Sequence, residues 1–460
     1  MIERVIHTGD RSGFTFAAKY DPCLSFFQKL QSFFYPAPAE SASNANISVT
    51  LSANFPGLSR IGNAKIGPIE SGVETLCNKT DASQIQMLDP ETLEPIGITS
   101  QATLHPSLKG PTSGAHAKVC PTTGDVYNYN LEFGGRFGTY RVFHVSAATG
   151  ETSILATVKA PAAYLHSMFL TEHFVVLCVW NSFFSAGGAS LLWKRNYLDA
   201  LSTYDESKPT VWYVIDRKPV ENGGKGHVAT YESEPFFCFH TINAYEQSSA
   251  TESGKTDIVA DLCAYDNLDV LKRFYIENMT SDSATAPAYS HPSNATSRAR
   301  YRRFKLPSIS SSPASSASKA ELVFTLPAGS APELPSLAAQ ARTKKHRYVY
   351  GVTDTGASTF FDGIIKYDLA DPENVTTKSW SRHGQSAGEP LFIADPARPD
   401  EEDGGVLLTV VLDGTQGKSY LLVLDAKDLT ELGRANVDGV VGFGFHGTHV
   451  KSIDGEQSQS

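Results

Sequence analysis

Four histidines stand in unusually constrained local sequences: His116 in SGAHAKVCPTTGDVYNYN, His166 in AYLHSMFLTEHFVV, His240 in EPFFCFHTINAYE and His446 in FGFHGTH. His116 and His166, the nearest pair, are fifty residues apart, so only the fold can bring the four together. Gathered on one ion they would make an all-nitrogen centre with no carboxylate ligand. Imidazole suits iron, zinc, copper and nickel. With coordination positions left open, such a centre points to metal-based redox chemistry on an uncharged substrate. Taken singly, a core histidine is more often a hydrogen-bonded structural group than a ligand, and His173, His144 and His449 compete with His166, His116 and His446. Strand parity puts His446 and His449 on opposite faces.

The surroundings of these histidines carry further signals. His240 lies in FFCFH, a run that reads as a buried strand, and Asn243 and Glu246 follow it as polar groups able to orient nearby rings. Glycines flank His446 and permit close backbone approach. A metal-bound imidazole usually donates its second nitrogen to a carboxylate or carbonyl. Glu333 in APELPSL, Glu389 in AGEPLFIADP and Asp81 are candidates for that role, though each also reads as an exposed turn acid. The charged run after Pro399 reads as a solvated hairpin.

The elements that must position these groups are short strands rich in Val, Tyr, Phe and Thr, bounded by Gly, Pro, Asp and Asn. The phrases MLDPETLEPIG, WYVIDR and YLLVLDAKDLTELGRA pair a strand with an Asp-centred turn, a pattern typical of propeller blades. Long helical periodicity is nearly absent, which disfavours βαβ architecture. The exception is 22–35, where Leu24, Phe26, Phe27, Leu30, Phe33, Phe34 and Tyr35 recur at near-helical spacing between Pro22 and Pro36. Such a segment suits a bilayer interface or a sheet rim equally. Residues 247–257 and 277–299 read as polar insertions, and 308–319 as a low-complexity linker.

With 460 residues, 41% hydrophobic, the chain can bury a large core. Its net charge of −10 and the lack of a basic block argue against nucleic acid as a partner. No apolar run reaches the length of a membrane span. Six cysteines without CxxC spacing read as free thiols of a reducing compartment, which points to a cytoplasmic protein.

Together the motifs DPCxxxF, LDPETLEPIG, HPSLKGPTSGAH, TGDVYNYNLEFG, FFCFHTINAYE, HRYVYG, GEPLFIADP, EEDGGVLLTVVLD and GFHG resemble the carotenoid cleavage oxygenases, from about residue 8 to the C-terminus. The likeness is nearest to the fungal torulene-cleaving type. It implies an all-β chain, one seven-bladed β-propeller over 1–460, with a helical and loop cap above an axial Fe(2+). It implies His116, His166, His240 and His446 as iron ligands. Glu333 and Glu389 match the carboxylates behind them, and Asp81 matches the third, with Glu74 as its alternative. It implies dioxygen-dependent cleavage of a conjugated double bond in a lipophilic polyene, and peripheral membrane contact through 22–35. Family members carry a further segment before HTGDRSGFTF, so an incomplete first blade is expected here. Two other readings stay open: a stilbene-type dioxygenase, for which Tyr140 or Lys118 would bind a phenol, and a non-catalytic carotenoid- or retinoid-binding propeller. Phe143, Phe169, Phe236, Phe239, Phe443 and Phe445 are the aromatics available to wall a substrate tunnel.

Overall fold

The computed structural model describes 49–58, 73–194, 196–280, 284–290, 294–309, 316–356 and 358–450, together with the backbone of 3–7 and 14–18. The segment 22–35 lies outside these residues, as do parts of the two later insertions. A two-stranded ribbon comes first, β1 (Glu3–His7) with β2 (Phe14–Ala18).

Six antiparallel sheets of four or five strands then follow in chain order. Blade 1 holds β3 (Thr50–Ala53), β4 (Leu76–Lys79), β5 (Gln84–Leu88) and β6 (Pro95–Ser100). Blade 2 holds β7 (Thr112–Ser113), β8 (Lys118–Val119), β9 (Val126–Glu132), β10 (Gly138–Val145) and β11 (Thr152–Ala160). Blade 3 holds β12 (Phe169–Leu170), β13 (Phe174–Val179), β14 (Thr210–Asp216) and β15 (His227–Ser233). Blade 4 holds β16 (Phe237–Ser248), β17 (Thr256–Tyr265) and β18 (Arg300–Ile309). Then β19 (Ser318–Lys319) pairs in parallel with β15 at the edge of blade 3, and β20 (Glu321–Thr325) completes blade 4. Blade 5 holds β21 (Glu333–Ser336), β22 (Tyr348–Thr353), β23 (Gly363–Asp368) and β24 (Thr376–Ser381). Blade 6 holds β25 (Gln385–Ala387), β26 (Leu391–Ala394), β27 (Gly405–Asp413), β28 (Lys418–Asp425) and β29 (Glu431–Val437).

The propeller architecture read from the sequence is present. Against the seven blades expected, the described residues form six, plus the β1–β2 ribbon. Each blade is a meander, and its first strand lies at the axis, because residues on or beside those strands converge on one point (below). The repeated phrase is a blade device. In blade 1 Asp89 accepts the Glu91 and Thr92 N–H groups and Leu93 turns left-handed at φ 60°. In blade 6 Asp425 accepts from Lys427 and Leu429 turns at φ 64°. Both turns join the last two strands of their blade.

Two of the expected surface segments are more ordered than their composition suggests. Residues 247–257 form the tip of the β16–β17 hairpin, and Ser318–Lys319 at the end of the linker covers the β15 edge. Covering an edge removes a template for unwanted pairing. Between blades, β17 is buried over almost its whole length, as its Val, Ala and Leu content dictates. Trp212, Phe236 and Phe304 pack ring on ring between blades 3 and 4. Each such ring contributes about 1.5–3 kcal/mol through burial. Short helices, Asp269–Arg273 and Ile276–Met279, lie between β17 and β18 and put Phe274 over the axis as part of the expected cap.

Candidate metal centre

Regular pairing would point inner-strand side chains alternately into neighbouring blades. Aiming several at the axis requires breaks, and four of the key residues sit on one. The inner strand of blade 2 is interrupted between β7 and β8, and His116 lies in the gap. That of blade 6 is interrupted between β25 and β26, and Glu389 lies in the gap. β16 loses register on both sides of Thr241, beside His240. β21 loses register just after Glu333, where Leu334 adopts φ 49°. Bulges re-aim side chains in this way, and left-handed non-glycine residues gather at functional sites. His166 precedes β12, and its carbonyl accepts the His116 N–H at 3.2 Å, tying two blades together. His446 arrives on the segment after β29, where the Glu389 N–H donates to Gly444 O at 2.9 Å. That approach demands glycine at 388, since a Cβ there would lie 2.5 Å from Gly444 O.

The result is a tight cluster. One ring nitrogen of each of His116, His166, His240 and His446 lies within 4.8 Å of the other three. The His116 ring centroid is 4.7, 4.9 and 4.3 Å from those of His166, His240 and His446. Three of the rings are held from behind. His166 Nδ1 meets Asp81 Oδ1 at 2.7 Å, His240 Nδ1 meets Glu333 Oε2 at 2.6 Å, and His446 Nδ1 meets Glu389 Oε1 at 3.1 Å. Each carboxylate is itself fixed. Tyr164 donates to Asp81 at 2.9 Å, Tyr265 to Glu333 at 2.5 Å, and the Gly447 N–H to Glu389 at 2.9 Å. Asp81, rather than Glu74, therefore stands behind His166.

An ion fits this arrangement. The Nε2 atoms of His116 and His240 are buried with no hydrogen-bond partner, a costly state for an imidazole that a metal would relieve. Burial, then the neighbouring imidazoles, hold the His116 pKa well below the histidine range. Burial pulls His240 down to about 4 despite Glu333. Both rings are therefore neutral near pH 7, the state a metal requires.

The cluster separates two cavities of about 280 Å³ each. His116 and Ser167 bridge in parallel, as inner strands of a propeller must, so chain direction sorts the linings. Residues just before the histidines (Tyr164, Phe239, Phe445) line one cavity, with Leu334, Phe274 and Phe361. Residues just after them (Lys118, Ser167, Thr241, Asn243, Gly447) line the other, with Arg342. One side is aromatic, the other polar and cationic. Loss of solvation, then the like charge of Arg342, holds Lys118 down to about 8.

The rival histidines serve elsewhere. His144 pairs with Asp125 at 3.2 Å, His173 with Glu246 at 2.8 Å, and His449 is exposed. Glu246 is thus no orienting group for the cluster. Of the tunnel aromatics, Phe239 and Phe445 face the aromatic cavity, and Phe443 backs it through Phe360 and Phe361. Phe169 lies on the polar side, while Phe143 and Phe236 are core. Tyr140 cannot take a phenol, because its hydroxyl is engaged by Pro161 O at 2.9 Å and the Ala163 N–H at 2.8 Å. Tyr164 and Tyr265 escaped sequence reading. Tyr164 stands two residues before His166, a spacing that could have flagged it; Tyr265 is brought in by strand pairing alone. The five described cysteines are unpaired, as expected, and no helix among the described residues is long and apolar enough to cross a membrane.

An all-imidazole centre on a propeller axis, opening on an aromatic cavity, defines a non-heme metal oxygenase. The model of the retinal pigment epithelial membrane protein family matches residues 12–451. Torulene dioxygenase of Fusarium fujikuroi is 39% identical over 96% of this chain and 77% of its own length. Carotenoid dioxygenase of Neurospora crassa is 38% identical over 98% and 77%. Among solved structures, a glutamate-to-aspartate variant of Synechocystis apocarotenoid oxygenase superposes with a TM-score of 0.63 at 19% identity, over 82% of this chain and 72% of that one, which establishes the fold. The chain belongs to this carotenoid cleavage oxygenase family, and its four-histidine cluster matches the non-heme ferrous site of such dioxygenases.

Proposed function

We propose that the chain adds dioxygen across a conjugated carbon–carbon double bond of a carotenoid or apocarotenoid, one oxygen atom to each carbon, giving two aldehyde products. The observation that carries this is the pair of unpartnered Nε2 atoms, on His116 and His240, in a cluster that opens on an aromatic cavity. His116, His166, His240 and His446 hold ferrous iron, which supplies a redox-active centre for dioxygen chemistry. Asp81, Glu333 and Glu389 accept the Nδ1–H groups, fix each ring's tautomer and offset the charge of the ion. Phe239, Phe361 and Phe445 bind the polyene by apolar contact and keep water from the reacting carbons. The overall change moves no proton, which agrees with a cavity whose carboxylates are already committed to histidines.

Residues 1–460 act as one domain in this reading. Segment 22–35 docks on a bilayer from the cytoplasmic side and lets substrate pass from lipid to the aromatic cavity. Flotation with phosphatidylcholine vesicles tests the docking: the full chain floats, and a chain with Phe26, Phe27, Phe33 and Phe34 replaced by serine stays at the bottom.

The reaction is tested by reconstituting the protein with ferrous iron anaerobically, then incubating it in air with torulene, β-carotene, apocarotenals and resveratrol. Aldehydes from a polyene, separated by chromatography, are the expected products. Cleavage of resveratrol alone would favour the stilbene-type reading, and retained iron without oxygen uptake on any of these substrates would leave only the binding-protein reading.

A further inference from the structure

The polar cavity on the far side of the histidine cluster has a role that polyene cleavage does not use. Its described lining contains two cations, Lys118 and Arg342, and a single acid, Glu389. Both oxygens of Glu389 are already taken, by His446 Nδ1 and the Gly447 N–H. Neither Lys118 nor Arg342 makes a direct side-chain hydrogen bond or ion pair among the described residues, and the one acid that acts on Arg342, Glu389, does so from beyond contact distance. Lys118 stands two residues after His116, lines the same cavity and is half-buried there.

An exposed arginine is ordinary, but Arg342 is held at the cavity wall by its backbone. It sits in a tight turn whose neighbours are clamped from blade 4. Asn243, three residues after His240, donates to Ala341 O at 3.0 Å and Lys344 O at 2.9 Å. Its carbonyl oxygen accepts the Thr343 N–H at 3.0 Å. Thr343 is left-handed, at φ 61°, a conformation that costs a β-branched residue of order 1 kcal/mol or more. The clamp offsets that cost, and it presents a guanidinium that shares the cavity with Lys118 and with Glu389, whose oxygens are already committed.

We propose that Lys118 and Arg342 form a binding site for a small carboxylate in the polar axial cavity, behind the histidine cluster and separate from the polyene side. The planar fork of Arg342 matches a carboxylate edge, and Lys118 adds a point charge. Thr241, Ser336 and Thr343 line the same space with hydroxyls. This site does not depend on the cleavage reaction proposed above, so its test reads binding alone.

Formate is the probe, titrated calorimetrically at low ionic strength into the full-length, iron-loaded protein under argon. Binding is expected in the wild type. Arg342→Gln and Lys118→Met should each weaken it by about ten-fold or more, the loss of a charge-assisted contact. Arg136→Gln, on an exposed turn, should leave it unchanged. Formate bound directly to iron would survive Arg342→Gln and Lys118→Met at full affinity, and that result overturns the proposal, as does no binding at all. Crystals of the wild type soaked in bromide give a reading that needs no variant. An anomalous peak between Lys118 and Arg342 is expected; peaks only elsewhere on the protein contradict the site.

Discussion

The two faces of the histidine cluster are built from the same inner strands yet differ in kind. Upstream of the histidines the chain supplies Tyr164, Phe239 and Phe445; downstream it supplies Ser167, Lys118, Thr241 and Gly447. A propeller repeats strand direction around its axis, so a few residues of sequence choose between its two ends. The aromatic end suits an uncharged polyene and the cationic end a small hydrophilic ligand. The metal centre lies at the boundary, open to both.

The largest effect on this division comes from removing the boundary itself. His240→Ala should release iron and abolish aldehyde formation, measured by metal analysis and chromatography; a variant retaining both breaks the account. Next are the groups behind the rings. Glu333→Gln and Asp81→Asn should each weaken iron affinity by about 10- to 100-fold, read by competition with a ferrous chelator. Equal affinity to wild type would show that the carboxylates are merely structural.

Smaller effects sharpen the contrast between the faces. Phe239→Asn should raise the KM for an apocarotenal by about ten-fold with iron content intact, from lost apolar burial. Ser336→Ala, across the centre, should leave that KM unchanged; the reverse pattern would exchange the roles of the two cavities.

The smallest effect on chemistry belongs to a buried acid outside the centre. Asp261 is held by Arg303 at 2.7 Å, Tyr301 at 2.6 Å and His346 at 3.1 Å. Burial opposes its ionisation, but Arg303 and His346 prevail and bring its pKa down to about 2. A depressed carboxyl stabilises the fold above its unfolded value, near 4, and the contribution fades as pH falls through about 2. Asp261→Asn should therefore cost about 3 kcal/mol at neutral pH in denaturant titrations and flatten the acid limb. Its kcat per iron should match wild type; a collapse of kcat would mean that Asp261 acts on the centre.

Much of this was legible in the sequence because local chemistry announced it. The four histidines stood in glycine- or aromatic-rich runs, and Glu333 and Glu389 in proline-flanked ones. The Asp-centred turns of blades 1 and 6 could be read as a repeat because one backbone shape demands the same residues twice. Long-range placement was not legible. Tyr265 reaches Glu333 across 68 positions, and Arg342 is set by Asn243, which holds turn residues about 100 positions away. The face taken by Phe169 or Phe239 depends on which side of its histidine each stands, which means little until strand direction is known. The polarity of 247–257 hid a hairpin tip, since an exposed extension and a loop share one composition.

The most direct test is an anaerobic crystal structure of the iron-loaded chain with a long apocarotenal. The account predicts one ion bound by His116, His166, His240 and His446, and polyene density beside Phe239, Phe361 and Phe445. Polyene lying along Lys118 and Arg342, or an ion held by fewer than these four rings, would contradict it.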